Sequence, residues 1–139
     1  MSRAPEKHAT VSVDLEVPFH DCDPLHIVWH GNYLKYLEIG RTALMRSRGL
    51  DVQEIVAAGF RQVVIEVKCR YVHPLRYGEK FRVTAWFNDI ENRLNIGFEI
   101  TNLTQSGQRT LHGHTIMVTT DEAGAMLLET PDALLKRLR

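Results

Sequence analysis

Little cysteine, no surplus of either charge and no long apolar run mark this 139-residue chain, and each scarcity excludes a class of protein. The two cysteines, Cys22 and Cys69, stand far apart and form no spaced motif, so neither a disulfide framework nor a cysteine zinc site is expected. Free thiols fit cytoplasmic residence. Lys plus Arg and Asp plus Glu number 17 each, and the only basic cluster is the short "KRLR" at the end. A nucleic-acid or polybasic membrane surface would need a cationic stripe, so neither partner is expected. No apolar stretch approaches the length that crosses a bilayer, so membrane insertion is not expected. The opening "MSRAPEKHAT" lacks the apolar segment of a secretory signal. No repeat or linker breaks the chain, and a 44% hydrophobic, 24% charged composition suits one compact domain over residues 1–139.

What is present alternates. In "TVSVDLEVPF" the residues Val11, Val13, Leu15 and Val17 share one face of a strand that stops near Pro18. From about His30 to Gly49 the period becomes helical: Leu34, Leu37, Arg41, Leu44 and Met45 recur at helix spacing, and "SRGLD" supplies a glycine stop. A short helical turn is expected in 51–60. Four strands follow. "QVVIEVKCRYV" places Val63, Ile65, Val67, Cys69 and Tyr71 on one face. "KFRVTAWFN" aligns Phe81, Val83, Ala85 and Phe87, and "LNIGFEIT" aligns Leu94, Ile96, Phe98 and Ile100. "RTLHGHTIMVTT" is the last long strand, with His112 and His114 on the face of Ile116 and Val118. Short connections favour antiparallel neighbours. Thr130 before Pro131 opens a terminal helix. One long helix among about five strands makes a two-layer α+β domain. The other face of the sheet, carrying Glu66, Lys68, Arg70, Arg82, Trp86 and Glu99, is free to meet water or a partner.

Residues 19–41, "FHDCDPLHIVWHGNYLKYLEIGR", gather two aspartates and three histidines just before the helix. The unpaired N–H groups of a helix N-terminus, here near Trp29 to Asn32, can hold a carbonyl oxygen that is gaining negative charge. Gly31 would let a ligand approach the backbone. Asp23, just upstream, can activate water or attack a carbonyl. Together they point to acyl transfer to water. The competing reading of Asp21 and Asp23 is turn chemistry, since aspartates before a proline bond their own backbone. His26 and His30 are four apart, but a proline-led loop and the lack of a third ligand argue against a metal. His30 reads as a cap or a substrate-orienting group, Cys22 as a packed residue beside the aspartate. Tyr33 and Tyr36 are packing residues that can also touch substrate.

"DCDPLHIVWHGNYLKYLE" resembles the signature of the hotdog-fold thioesterases, the group of 4-hydroxybenzoyl-CoA thioesterase and the YbgC-like acyl-CoA thioesterases. The later "RYVHPLRYGE" resembles that family's strand-to-turn segment. The resemblance, over roughly residues 10–125, implies a hotdog fold: a curved antiparallel sheet of about five strands wrapped around one long helix. It implies hydrolysis of an acyl-CoA thioester to free acid and coenzyme A. Asp23 would be the base or nucleophile, with His30 and the N–H groups at Gly31 completing the catalytic set. Trp29, Asn32 and Tyr33 are the substrate-binding candidates, with Arg70 and Arg76 for the coenzyme. No cofactor or metal is implied beyond coenzyme A as part of the substrate. Homodimers or homotetramers with sites between subunits are implied as well. Where relatives often carry glycine, this chain has His26, a departure that bears on the substrate. Alternative readings are an acyl-carrier-protein thioesterase, with Lys68, Arg70 and Arg76 meeting an acidic carrier, or a non-catalytic acyl-binding hotdog protein. A hotdog dehydratase is weaker, because it would place its His and Asp differently.

Overall fold

A computed structural model describes residues 7–139. The elements run β1 (His8–Glu16), a 3-10 turn (Phe19–Asp21), α1 (Asn32–Ser47), α2 (Val52–Ala57), β2 (Phe60–Tyr71), β3 (Lys80–Asp89), β4 (Leu94–Asn102), β5 (Gln108–Asp121) and α3 (Asp132–Leu138). The strands form one antiparallel sheet in the order β1-β3-β4-β5-β2, so β1 and β2 lie at opposite edges. Consecutive hairpins explain the β3-β4-β5 run. The helical segment between β1 and β2 lets those two strands separate.

The core forms where period two meets period 3.6. Phe81, Val83, Ala85 and Phe87 of β3 and Leu94, Ile96, Phe98 and Ile100 of β4 are almost completely buried. Against them α1 lays Tyr33, Tyr36, Leu37, Gly40 and Leu44. The helix comes close at Gly40: a methyl group there would stand 2.7 Å from Val83 Cγ1. Past its last residue, Ser47, and the cap Arg48, Gly49 at a φ of +67° continues the chain left-handed while Leu50 N–H bonds the Met45 carbonyl at 3.0 Å.

Three expectations need correction. The helix begins at Asn32 rather than His30, and its buried stripe runs through Tyr33 and Tyr36, not Leu34, which is 42% exposed. Two tyrosines carry more apolar surface than one leucine, and their hydroxyls find partners, so they take the core. In β2 the pairing with β5 shifts by one residue between Val64 and Glu66. Ile65 is the extra residue of a bulge, so Val63 lies on the opposite face from Val67, Cys69 and Tyr71. Finally, Trp86 does lie on the outer face but does not meet water: it is 9% exposed, its ring covers Gly97, and Lys7 Nζ stands 4.0 Å from the ring centroid. His112 and His114 fall on that outer face as expected, and His114 Nε2 bonds Glu66 at 3.0 Å.

Candidate active site

The loop before α1 is organised by Asp21. Its carboxylate, 2% exposed, accepts from the Tyr36 hydroxyl at 2.6 Å and from Lys35 Nζ at 2.5 Å. Its carbonyl accepts from Asn32 Nδ2 at 2.8 Å and from the Trp29 N–H at 3.0 Å. Burial by itself would raise the acid's pKa. The bonds from Lys35 and Tyr36 outweigh burial and hold Asp21 below its ordinary value. The Tyr36 phenol is pushed up by its own burial and by the carboxylate facing it.

Asp23 is held differently. Its N–H donates to the Ile27 carbonyl and its carbonyl accepts from His26 N–H, both at 2.9 Å, closing a tight turn. Its Oδ1 accepts from Leu25 N–H at 2.8 Å. The turn chemistry expected of this aspartate is therefore present, and it orients the carboxylate. Oδ2 makes no hydrogen bond among the described residues. It belongs to a side chain lining a cavity of about 310 Å³. One wall of that cavity comes from the loop and the helix start, with Leu25, Ile27, Val28, His30 and Tyr33. The opposite wall is the end of β2 and the turn after it, with Tyr71, Val72, His73 and Pro74. Two hydrogen bonds tie the walls together. Val28 N–H donates to the Leu75 carbonyl at 2.8 Å, and Leu75 N–H donates to the Tyr33 hydroxyl at 3.0 Å. Tyr71 adds a longer bond from its hydroxyl to the His30 carbonyl, 3.3 Å.

At the helix start Gly31 is the N-cap, with no side-chain cap. The Asn32 N–H is used on the Trp29 carbonyl at 2.8 Å, whereas those of His30 and Gly31 have no acceptor among the described residues. They are the donors able to meet an oxyanion. Gly31 has an ordinary helical φ of −67°, so it is not required by backbone strain. It is required by space: a Cβ would lie 2.2 Å from the Trp29 ring, which packs across it. The close approach foreseen for a ligand at Gly31 is thus occupied on that side by Trp29.

Of the residues singled out in the sequence, Asp23, His30 and Tyr33 line the cavity; Gly31 follows His30 in the chain but does not line it. Asn32 is engaged with Asp21, and Trp29, half exposed, lies against His30 with ring centroids 5.1 Å apart and planes tilted by 47°. Arg70 lies outside the cavity, beside Lys68, His112 and His114 along an open concavity of about 630 Å³. Arg76 sits in the turn where its N–H bonds Glu79 Oε1 at 2.7 Å. The sequence reading passed over Tyr71, Val72, His73 and Pro74. The signal was there in "RYVHPLRYGE", but only its arginines stood out. Cys22 carries a thiol raised by burial and by both neighbouring aspartates, which disfavours the thiolate a nucleophile needs. Among the described residues no cluster of His, Cys, Asp and Glu is disposed to hold a metal ion. No helix among them is long and apolar enough to cross a membrane.

Residues 17–138, nearly the whole described chain and the entire cavity, match the family described as "Thioesterase-like superfamily". The chain belongs to this superfamily. Among its relatives is the "Putative acyl-CoA thioesterase YneP" of Bacillus subtilis, 33% identical over 90 residues, which are 64% of this chain. The match spans 65% of YneP's own length. The "Putative esterase sll0410" of Synechocystis is 29% identical over 86% of this chain and 72% of its own. Superposition on a 4-hydroxybenzoyl-CoA thioesterase mutant complexed with 4-hydroxybenzoyl-CoA gives a TM-score of 0.83, covering 94% of this chain and 99% of that one at 18% identity. That likeness establishes the hotdog fold expected from the sequence: a superfamily member with five antiparallel strands and one long helix.

Proposed function

We propose that this thioesterase-superfamily protein hydrolyses acyl-CoA thioesters to free acid and coenzyme A. The observation that carries the reading is a cavity lined both by a fixed carboxylate with a free oxygen and by His30 of the helix start, where the His30 and Gly31 N–H groups have no acceptor among the described residues. The thioester carbonyl would sit against the N–H groups of His30 and Gly31, which stabilise the charge that develops on its oxygen. Asp23 Oδ2 would take a proton from water as that water attacks the carbonyl carbon, and the coenzyme would leave as its thiol. The other route is attack by the carboxylate itself, with water then cleaving the mixed anhydride. A first turnover in labelled water tests the second route: label in the Asp23 carboxylate requires the anhydride, cleaved at its aspartyl carbon.

The cavity opens beside the edge strand β2, where Val63, Val64, Ile65 and Val67 are exposed and the backbone is unpaired on one side. Such an edge calls for a second strand. A second copy of the chain pairing there would wall the cavity, giving a homodimer or, by further association, a homotetramer. Sedimentation of the protein tests this, and a monomer at micromolar concentration would refute it. Arg70, Lys68, His112 and His114 along the open concavity favour an anionic handle. The coenzyme's phosphates are one such handle and an acidic acyl carrier protein is the second reading.

The decisive test is thiol release from short, long and aromatic acyl-CoAs by wild type and Asp23→Asn. Release by wild type and its loss in the variant supports the assignment. No release from any acyl-CoA directs the assay to acyl carrier protein substrates. Failure there as well leaves an acyl-binding role.

A further inference from the structure

The two edges of the sheet are unlike. On β1 the exposed residues Ser12, Asp14 and Glu16 are polar, and Asp14 Oδ1 already accepts from Arg82 Nε at 2.7 Å. Pairing of β1 with β3 also shifts between His8 and Val11. Bulges and charged residues of this kind discourage a further strand. On β2 the exposed residues include Val63, Val64, Ile65, Val67 and Tyr71. From Glu66 to Tyr71 the pairing with β5 is regular, so the free side of β2 offers an unbroken row of backbone groups. Among the described residues no backbone hydrogen bond outside the β2–β5 ladder engages that stretch. Its outer face presents Glu66, Lys68 and Arg70 in succession, all exposed. A lysine on an edge ordinarily wards off a neighbour. Here an acid precedes it by two residues, so a strand of the same sequence running the other way carries its complement.

Two identical edges that pair antiparallel are related by a twofold axis: residue i meets residue j of the partner, and j meets i. Such an axis, perpendicular to the sheet, keeps both inner faces on one side. Residues standing opposite each other then belong to the same face, and the axis passes through a residue rather than between two. Charge chooses among the positions from Glu66 to Arg70. With the axis at Glu66, Lys68 or Arg70, that residue meets its own copy. With the axis at Cys69, Lys68 meets the partner's Arg70 twice. Like charges directly opposite each other destabilise a sheet, whereas opposite charges stabilise it. With the axis at Val67, Glu66 meets the partner's Lys68 and Lys68 meets the partner's Glu66, while the two Val67 side chains lie side by side on the inner face.

We propose that two copies of this chain pair antiparallel through β2 with the twofold axis at Val67, joined by reciprocal Glu66–Lys68 ion pairs. This rests on the paired edge proposed above and gives it a register. Counted past the extra residue Ile65, the register sets Tyr71 opposite the partner's Gln62. The start of the partner's β2 therefore runs along the Tyr71 wall of the Asp23 cavity, and each copy completes the cavity of the other.

The test is crosslinking of Val67→Cys/Cys69→Ser by a mild oxidant, with sedimentation and melting curves alongside. Residues directly opposite in an antiparallel pair have Cα atoms about 4.5–5.5 Å apart, within reach of a disulfide, so most of this protein should become a covalent dimer. Cys69→Ser alone should not crosslink. Nor should Val64→Cys/Cys69→Ser, whose introduced thiols stand about five residues apart along the paired strands. Exchange of charge is the second measurement. Glu66→Lys and Lys68→Glu should each weaken the dimer by about tenfold or more in a dilution series, and the double exchange should restore it. A dimer in which Val67→Cys crosslinks only while Cys69 is present has its axis at Lys68 and overturns the proposal. So does a dimer that crosslinks in neither background, or one that the double exchange leaves as weak as the single ones. Those outcomes leave the paired edge standing, whereas a monomer in sedimentation overturns the edge and the register together. None of these readouts depends on hydrolysis, so the thioesterase reading is judged separately.

Discussion

Asp21 and Asp23 stand two residues apart in the same loop and are held in opposite ways. Asp21 is buried and each of its side-chain oxygens is paired, one with Lys35 and one with Tyr36. Asp23 lies on a cavity wall with one oxygen bonded to the Leu25 N–H and the other free. The first holds the loop onto the helix, and the second is presented by that loop. A carboxylate that does structural work is used up by its partners. A carboxylate that does chemistry must be oriented by a bond on one side and left open on the other.

Exchanging each acid in turn puts this contrast at risk. The largest effect belongs to Asp23→Asn, which keeps the Leu25 bond and removes the proposed base or nucleophile: acyl-CoA hydrolysis should fall by about 10²-fold or more with little change in melting temperature. A variant that unfolds, or one that retains full activity, would erase the contrast. Asp21→Ala should do the reverse. It strands the buried Tyr36 hydroxyl and should cost about 2–3 kcal/mol in chemical denaturation, a loss that Asp23→Ala should not match.

Acid should tell the two apart as well. The folded pKa of Asp21 lies below its unfolded value, so its stabilising contribution is complete above the ordinary aspartate value of about 3.9 and is lost as the pH falls through the lower folded value. Wild type should therefore lose stability below about pH 4 more steeply than Asp21→Asn, which has no such group to protonate. Unfolding curves from pH 6 to pH 2, taken as rough limits, read the difference.

A smaller effect is expected at Tyr33→Phe, which deprives the Leu75 N–H of its acceptor and loosens one cavity wall from the other. About 1–2 kcal/mol of stability should be lost. The smallest concerns His26, a non-glycine residue at φ +65° in the turn that presents Asp23. His26→Gly relieves that left-handed conformation and should stabilise the protein by up to about 1 kcal/mol. Glycine is what the backbone asks for at this position. A destabilised His26→Gly protein would mean that the imidazole makes a contribution larger than its strain.

The loop motif was legible because its information is local. Asp23, His30 and the helix start lie within ten residues, and the turn bonds that fix them run between near neighbours. The opposite wall was not, since Tyr71 to Pro74 come from forty residues downstream and meet the loop through the Val28–Leu75, Leu75–Tyr33 and Tyr71–His30 bonds. Asn32 is a related case. A polar residue at a helix start looks available in a sequence, and only the fold brings the Asp21 carbonyl to its amide.

Alternation along the strands, the helical period and the glycine stop at Gly49 by themselves determined the elements and their order, because each expresses the geometry of a few consecutive residues. Pairing decided the rest. The bulge at Ile65 exists only because β2 must match β5 on both sides of it, and that one-residue slip turns Val63 outward while Val67 and Tyr71 lie on the inner face. Likewise, whether Leu34 or Tyr33 is buried depends on where α1 lands on β3, which Gly40 and Val83 settle by close contact. A side chain's period can be read along the chain, but the face that becomes a wall depends on what is packed against it.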